Sequence, residues 1–211
     1  MTKWDQILQR RDYRSTSPDE IVVNFVSIIE KRKAKKVLDL GCGAGRHVNY
    51  LAKRGFEALG VDISETGLKL TKKRLRKMKL EAAIVKSDMK FLPFISSCFD
   101  AAICVQTIYH QRLKGIEETV SELHRVLKKK GLLLTNFHSK RSGKHGRGVE
   151  VEENTFEAKS GPEKGVLHHL VDENEIHELF KDFKLMDFET REKMESTSYR
   201  RSRYNMVSEK I

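Results

Sequence analysis

Three glycines at alternate positions, Gly41, Gly43 and Gly45, separate the apolar run Val37-Leu38-Asp39-Leu40 from residues 44–54, whose pattern is helical. A strand that enters a glycine turn and leaves it as a helix lets the backbone come close to a ligand and meets it with unpaired N–H groups, so the pattern implies a nucleotide-like ligand. The dinucleotide fingerprint GxGxxG would need glycine at position 46; Arg46 stands there, which argues against a nicotinamide cofactor. A carboxylate at Asp39 would repel pyrophosphate and suits a ligand carrying an ammonium group. Asp62 follows Gly41 by 21 positions, close to the offset of about 20 at which an acidic side chain accepts hydrogen bonds from ribose hydroxyls. Further on, Ser87-Asp88-Met89 offers a carboxylate and a thioether on which an adenine could rest.

Such residues work together only if strand ends bring them together. Ser17 and Pro18 open a helix that carries Ile21, Phe25 and Ile28. From Val37 onward extended and helical patterns alternate: strands at 57–61, 82–86, 99–105 and 131–137, and helices at 44–54 and 65–79. Leu68, Leu75 and Met78 face the core from the 65–79 helix, and Ile116, Val120, Leu123 and Leu127 mark one side of another. Alternation of this kind predicts a parallel sheet covered on both faces, with ligands at the carboxyl ends of its strands. The rhythm then breaks. Residues 139–165 form a long glycine-containing connection, read as an active-site lid or a mobile insertion. Asp172 caps a short helix over 172–181, and strands at 183–189 and 202–209, joined through 190–201, suit an antiparallel hairpin at a sheet edge. Trp4 and Tyr13 lie in an opening segment that either packs loosely or closes over the ligand.

The whole chain, 211 residues, reads as one domain, and its formal charge of +11 predicts attraction to polyanions without naming one. Cys42, Cys98 and Cys104 form no CxxC pair, and with no apolar leader or long apolar run they indicate a reducing, cytoplasmic setting without a membrane span.

From Val37 to Lys210 these features resemble the class I S-adenosylmethionine-dependent methyltransferases, in particular the small type-11/type-25 methyltransferase-domain group. The resemblance implies an α/β fold, a three-layer αβα sandwich with a mostly parallel seven-stranded sheet whose last strand is antiparallel. It implies one domain over 1–211, with an N-terminal helical segment at 1–35 and an insertion at 139–171 near the acceptor. It further implies S-adenosylmethionine as cofactor, with Gly41, Gly43 and Gly45 along its methionine part and Asp39 oriented toward that turn. Asp62 would hold the ribose hydroxyls, Ile63 and Met89 would flank the adenine, Asp88 would meet its amino group, and Gln106 would reach the methionine moiety. The Asn/Asp-Pro-Pro-Tyr/Phe signature of nucleic-acid amino-methyltransferases is absent; Gln106-Thr107-Ile108-Tyr109-His110 stands in its place.

Methyl transfer from a sulfonium needs mainly a positioned acceptor and, for some acceptors, a base. His110, Tyr109 and His169 are the expected catalytic residues, with His138 and His168 as further histidines near strand ends. No metal is expected, because adjacent side chains such as His168 and His169 diverge in an extended chain. The expected acceptor is a small molecule, with RNA or protein as alternatives given the +11 charge; Lys140, Arg141, Lys144 and Arg147 could neutralise an anionic acceptor. The rival readings are a methyltransferase-like binding or scaffold subunit and, more remotely, a nicotinamide-dependent dehydrogenase.

Overall fold

A computed structural model describes residues 1–196 and 199–211. The chain opens with α1 (Lys3–Ile7), a single 3-10 turn at Arg11–Tyr13 and α2 (Glu20–Lys31). There follow β1 (Lys36–Leu40), α3 (Arg46–Lys53), β2 (Glu57–Asp62), α4 (Glu65–Met78), β3 (Ala83–Lys86), β4 (Phe99–Cys104), α5 (Leu113–Val126) and β5 (Leu127–Ser139). These five strands are parallel in the order β3-β2-β1-β4-β5. Alternate residues of each strand face opposite layers. On one side Leu38, Leu40, Ala102 and Cys104 pack with Ile116, Val120 and Leu123 of α5. On the other, Val37, Ala101 and Ile103 pack with Val22, Phe25, Val26 and Ile29 of α2 and with Val48 and Leu51 of α3. The strand order reverses between β1 and β4, so the crevice for a ligand opens beyond their carboxyl ends.

The remainder is β6 (Val149–Glu152), β7 (Thr155–Glu157), β8 (Leu167–Val171), α6 (Glu173–Leu179), capped by Asp172 as expected, β9 (Phe183–Ser196) and β10 (Tyr199–Lys210). The last strand is antiparallel, as the resemblance implies, and it forms the expected hairpin at a sheet edge, with β10 between β5 and the outer strand β9. The sheet has ten strands rather than seven, because the 139–171 segment is not an irregular connection. It supplies β8, parallel to β5 at His138↔Leu170 and Ser139↔Val171, and the antiparallel pair β7 and β6 outside it. At His138 the opposite edge of β5 is taken by Arg203 of β10, so β8 occupies the edge that β4 leaves free beyond Cys104. This places β8 over the tip of β4, where the His169 N–H donates to the Tyr109 carbonyl at 2.8 Å. The expected connection over 190–201 is corrected: β9 continues to Ser196 and β10 begins at Tyr199, and Thr197 and Ser198 lie outside the described residues.

Three smaller expectations are corrected. The α2 cap is Asp19, whose carboxylate accepts from the Ile21 N–H, rather than Ser17 or Pro18. Ile28 is 39% exposed and Met78 47% exposed, because the inward stripes run through Val22, Phe25, Val26 and Ile29 on α2 and end at Leu75 on α4. Leu127 is buried as expected but belongs to β5, past the end of α5.

The opening segment is not a loose tail. Thr2 and Asp5 form a capping box on α1, and buried Asp5 also accepts from the Ser64 hydroxyl at 2.8 Å and the Thr66 N–H at 2.9 Å. Asp5 therefore caps α1 and α4 together, and these hydrogen bonds, led by that from Thr66, hold its carboxyl well below the usual carboxylate range. A group with a depressed native pKa contributes stability that is present above its unfolded pKa, about 4, and is lost as the pH falls below it. Asp5→Ala is expected to lower stability by about 2–3 kcal/mol by stranding buried donors at both helix ends. Chemical denaturation at pH 7 and pH 3 checks this: the deficit of the variant should shrink in acid.

Candidate active site

A cavity of about 750 Å³ lies at the carboxyl ends of the central strands, floored by the glycine turn and roofed by the opening segment through Trp4, Leu8 and Tyr13. Arg74 of α4 holds that roof by donating to the carbonyls of Arg14, Ser15 and Ala44.

All three glycines have positive φ, but for different reasons. A Cβ on Gly41 would lie 2.1 Å from Cγ2 of Thr107, and one on Gly45, the N-cap of α3, would lie 2.5 Å from Cγ2 of Thr71. Those two permit close packing within the chain, and Gly45 is not on the cavity wall. Gly43 is on the wall, and a Cβ there would meet nothing closer than Leu8 Cδ2 at 3.9 Å. Its missing side chain is space that a ligand can use.

Asp62, at the end of β2, accepts from the Gly43 N–H through one oxygen and from the Ser64 N–H through the other, both at 2.7 Å. Each oxygen keeps a lone pair for a further donor. Burial pushes this carboxyl above its ordinary pKa, partly offset by the two backbone donors. Ile63, Asp88 and Met89 continue the same wall. The Met89 thioether is fixed by Gln111 Nε2 at 3.1 Å, and Asp88 accepts from the Lys90 N–H at 3.0 Å.

Gln106 reaches the wall in a left-handed conformation, φ 58°. Its N–H donates to Asn136 Oδ1 at 2.7 Å and its Nε2 to Asp19 Oδ2 at 2.9 Å. Asp39 is buried behind the wall rather than on it, with Oδ2 lacking a hydrogen-bond partner and Oδ1 3.7 Å from His47 Nδ1. His47 Nε2 accepts from the Asp19 N–H at 3.4 Å, which leaves the ring proton on Nδ1, toward Asp39. No spacing in the sequence singles out Asp19 or His47; they join this cluster because α2 and α3 converge on the end of β1.

Of the expected catalytic residues only His110 lines the cavity. Its Nδ1 donates to the Leu167 carbonyl at 3.0 Å, and Nε2 has no partner among the described residues. Burial, with His168 adding to it, lowers the His110 pKa to about 3, so the ring is neutral at physiological pH. Trp4 and His168 stand edge-on to it, each with ring centroids 4.8 Å away. Tyr109 and His169 are corrected: neither lies on the wall. Tyr109 is buried beneath His110 with its hydroxyl pKa pushed up to about 12 by burial. His169 is buried in β8 with both ring nitrogens engaged, Nδ1 to Thr155 Oγ1 and Nε2 to Glu175, each at 2.6 Å. The basic cluster is also largely committed within the chain. Lys140 pairs with Asp172 and Glu175, Lys144 with Glu163, and the Arg147 guanidinium sits over the Tyr199 ring. Glu163 joins the insertion to the roof by accepting from the Tyr13 hydroxyl at 3.2 Å while bridging Lys144 and His168.

Residues 37–131 match the sequence profile of a family described as a methyltransferase domain. A candidate methyltransferase of Geobacillus sp. (strain WCH70) is 33% identical over 111 residues, which is 52% of this chain and 44% of the relative. Methyltransferase GfsG of Streptomyces halstedii is 30% identical over 101 residues, 46% of this chain and 36% of the relative. Over residues 37–131 this chain is similar to methyltransferase domains. The matches span less than half the length of these curated relatives. In fold, a SAM-dependent methyltransferase of Methanosarcina mazei superposes with a TM-score of 0.77 at 22% identity, covering 92% of this chain and 99% of that one. A Burkholderia thailandensis 1,6-didemethyltoxoflavin-N1-methyltransferase, solved with 1,6-didemethyltoxoflavin and S-adenosylhomocysteine, superposes at 0.70 with 18% identity over 96% of this chain and 82% of that one.

The cavity wall fits the cofactor that this similarity implies, S-adenosylmethionine. Gly43 leaves room where a side chain would intrude, Asp62 has unused acceptor capacity beside it, and Ile63 and Met89 offer apolar surface on the same side. Cys42 and Cys104 are buried with thiol pKa values pushed up, mainly by burial, and are packing groups rather than nucleophiles.

Proposed function

We propose that this protein transfers the methyl group of S-adenosylmethionine to a small-molecule acceptor held at the Trp4, Tyr13 and His110 end of the cavity, in the cytoplasm that its three free cysteines suit. The observation that carries this reading is that one cavity joins Gly43 and Asp62 to a neutral histidine with an unpartnered nitrogen. The cofactor supplies an electrophilic methyl on a sulfonium. Asp62 accepts from the ribose hydroxyls, Ile63 and Met89 flank the adenine, and Asp88 meets its amino group. Gly41 and Gly43 line the methionine part, which Gln106 also reaches, while Gly45 and buried Asp39 shape that turn from behind. His110 Nε2 accepts a hydrogen bond from the acceptor hydroxyl or N–H and turns its lone pair toward the methyl. With so low a pKa, His110 orients this proton rather than storing it: as the sulfonium C–S bond breaks and the bond to the acceptor forms, S-adenosylhomocysteine would be the leaving group and the acceptor's proton would pass to solvent. The 139–171 insertion closes the acceptor end through Glu163 and the roof.

Labelled methyl transfer into fractionated metabolites, RNA and protein tests the assignment. Label is expected in the metabolite fraction; label confined to RNA or protein overturns the small-molecule reading. With the acceptor in hand, His110→Ala is expected to lower kcat/KM by about ten- to a hundred-fold while leaving cofactor affinity unchanged. The wild-type pH–rate profile should carry no inflection near pH 6.5, because His110 is already neutral there.

A further inference from the structure

We propose that the outer edge of β9 is a dimerisation surface, at which two copies of this chain pair β9 with β9 antiparallel about a two-fold axis centred on Thr190. β9 pairs with β10 along one edge only; no strand among the described residues takes the other. An edge of this length is a row of unsatisfied backbone donors and acceptors, and chains that stay monomeric blunt such edges with charge. Here the order of the charges does the opposite of blunting.

The ladder with β10 is regular from Asp187 to Met194, and a register shift next to Asp187 ends it on that side. Within this span Asp187, Glu189, Arg191 and Lys193 alternate along the strand, so they share one face, and all four are exposed. Their signs run minus, minus, plus, plus. A two-fold axis through Thr190 sets each residue opposite the one equally far on the other side of Thr190 in the second copy. Glu189 then faces the partner's Arg191, and Asp187 faces the partner's Lys193. Each contact occurs twice, giving four opposite-charge cross-strand pairs. Moving the axis by one residue, to Glu189 or Arg191, sets that charged residue against its own copy. Of these three registers, only the one centred on Thr190 avoids a like-charge contact at the centre. Met186 and Met194, 44% and 56% exposed, bracket the span, so pairing also covers apolar surface at both ends. Within the chain, Glu189 accepts from Asn205 at 3.4 Å and Arg191 pairs with Glu20 at 3.0 Å. The second is an exposed ion pair of little strength, which does not hold the arginine back from a new partner.

Sedimentation velocity of the full chain is expected to show a reversible monomer–dimer equilibrium that moves toward monomer in about 1 M salt, where the screening length falls to about 3 Å. Glu189→Arg and Arg191→Glu each create two like-charge contacts and should weaken the dimer by about ten-fold or more. Mixed together, the two variants complement each other at every pair, so native mass spectrometry with one variant isotopically labelled should show heterodimers at wild-type strength. Hydrogen exchange of wild-type β9 amides should slow as the protein is concentrated, a readout that needs no variant to fold. A wild type that is monomeric at every concentration, a dimer indifferent to both reversals, a mixture that does not associate, or β9 exchange independent of concentration would each overturn the proposal.

Discussion

Gly41→Ala is expected to destabilise the protein by about 3–5 kcal/mol, whereas Gly43→Ala, two residues on, should cost only about 1–2 kcal/mol yet harm cofactor binding more per unit of stability lost. Both backbones are left-handed, φ 75° and 51°, so each alanine carries the strain of that conformation. Only at Gly41 does the new methyl also collide, at 2.1 Å from the β-branched Thr107, which cannot swing away as a longer side chain would. At Gly43 the methyl enters the cavity. Thermal unfolding together with calorimetric titration of S-adenosylhomocysteine separates the two. Gly41→Ala should lower Tm by roughly 10 °C. Gly43→Ala should keep a cooperative transition and bind weakly. Equal losses of stability at both positions would show that the turn is governed by φ alone.

Asp62→Ala is expected to weaken S-adenosylmethionine binding by about ten- to a hundred-fold, the loss of hydrogen bonds to a charged acceptor. Two contributions combine: in the proposed binding mode the ribose hydroxyls would lose their acceptor, and the N–H groups of Gly43 and Ser64 lose the bridge that holds the turn against α4. Asp62→Asn keeps one acceptor oxygen and should fall between alanine and wild type. Because burial raises the Asp62 pKa, wild-type affinity should decline on acidification at a higher pH than an ordinary carboxylate would give, and the alanine variant should lack that dependence. Isothermal titration across pH 5–8 reads both effects. Binding by Asp62→Ala equal to wild type at every pH would remove Asp62 from the cofactor site.

Much of the scaffold was legible because its signals are local. Val37–Leu40, the glycines, the 65–79 helix and the Asp172 cap each declare themselves within a few residues, and alternating strand and helix patterns leave few topologies for a parallel sheet. The offset from Gly41 to Asp62 was readable for the same reason: one strand–helix–strand unit has a nearly fixed length. The opening segment reads as either a loose tail or a cover, because the Thr2–Asp5 spacing of its capping box stands before no apolar run.

What the sequence by itself determined is the fold class and the residues of one cavity wall, from Gly43 to Met89, since these depend on residues close in the chain or on a repeating pattern. Tertiary structure decided which histidine faces the cavity. His110 and His169 look alike in sequence, yet pairing of β8 beside the tip of β4 leaves one on the cavity wall and buries the other between Thr155 and Glu175. It also decided that Asp39 stands behind the wall, that the lysines at 140 and 144 are spent on internal ion pairs, and that β9 rather than β10 is left at the edge. Each of those outcomes is a contact between segments far apart along the chain, and no short-range preference encodes where distant segments meet.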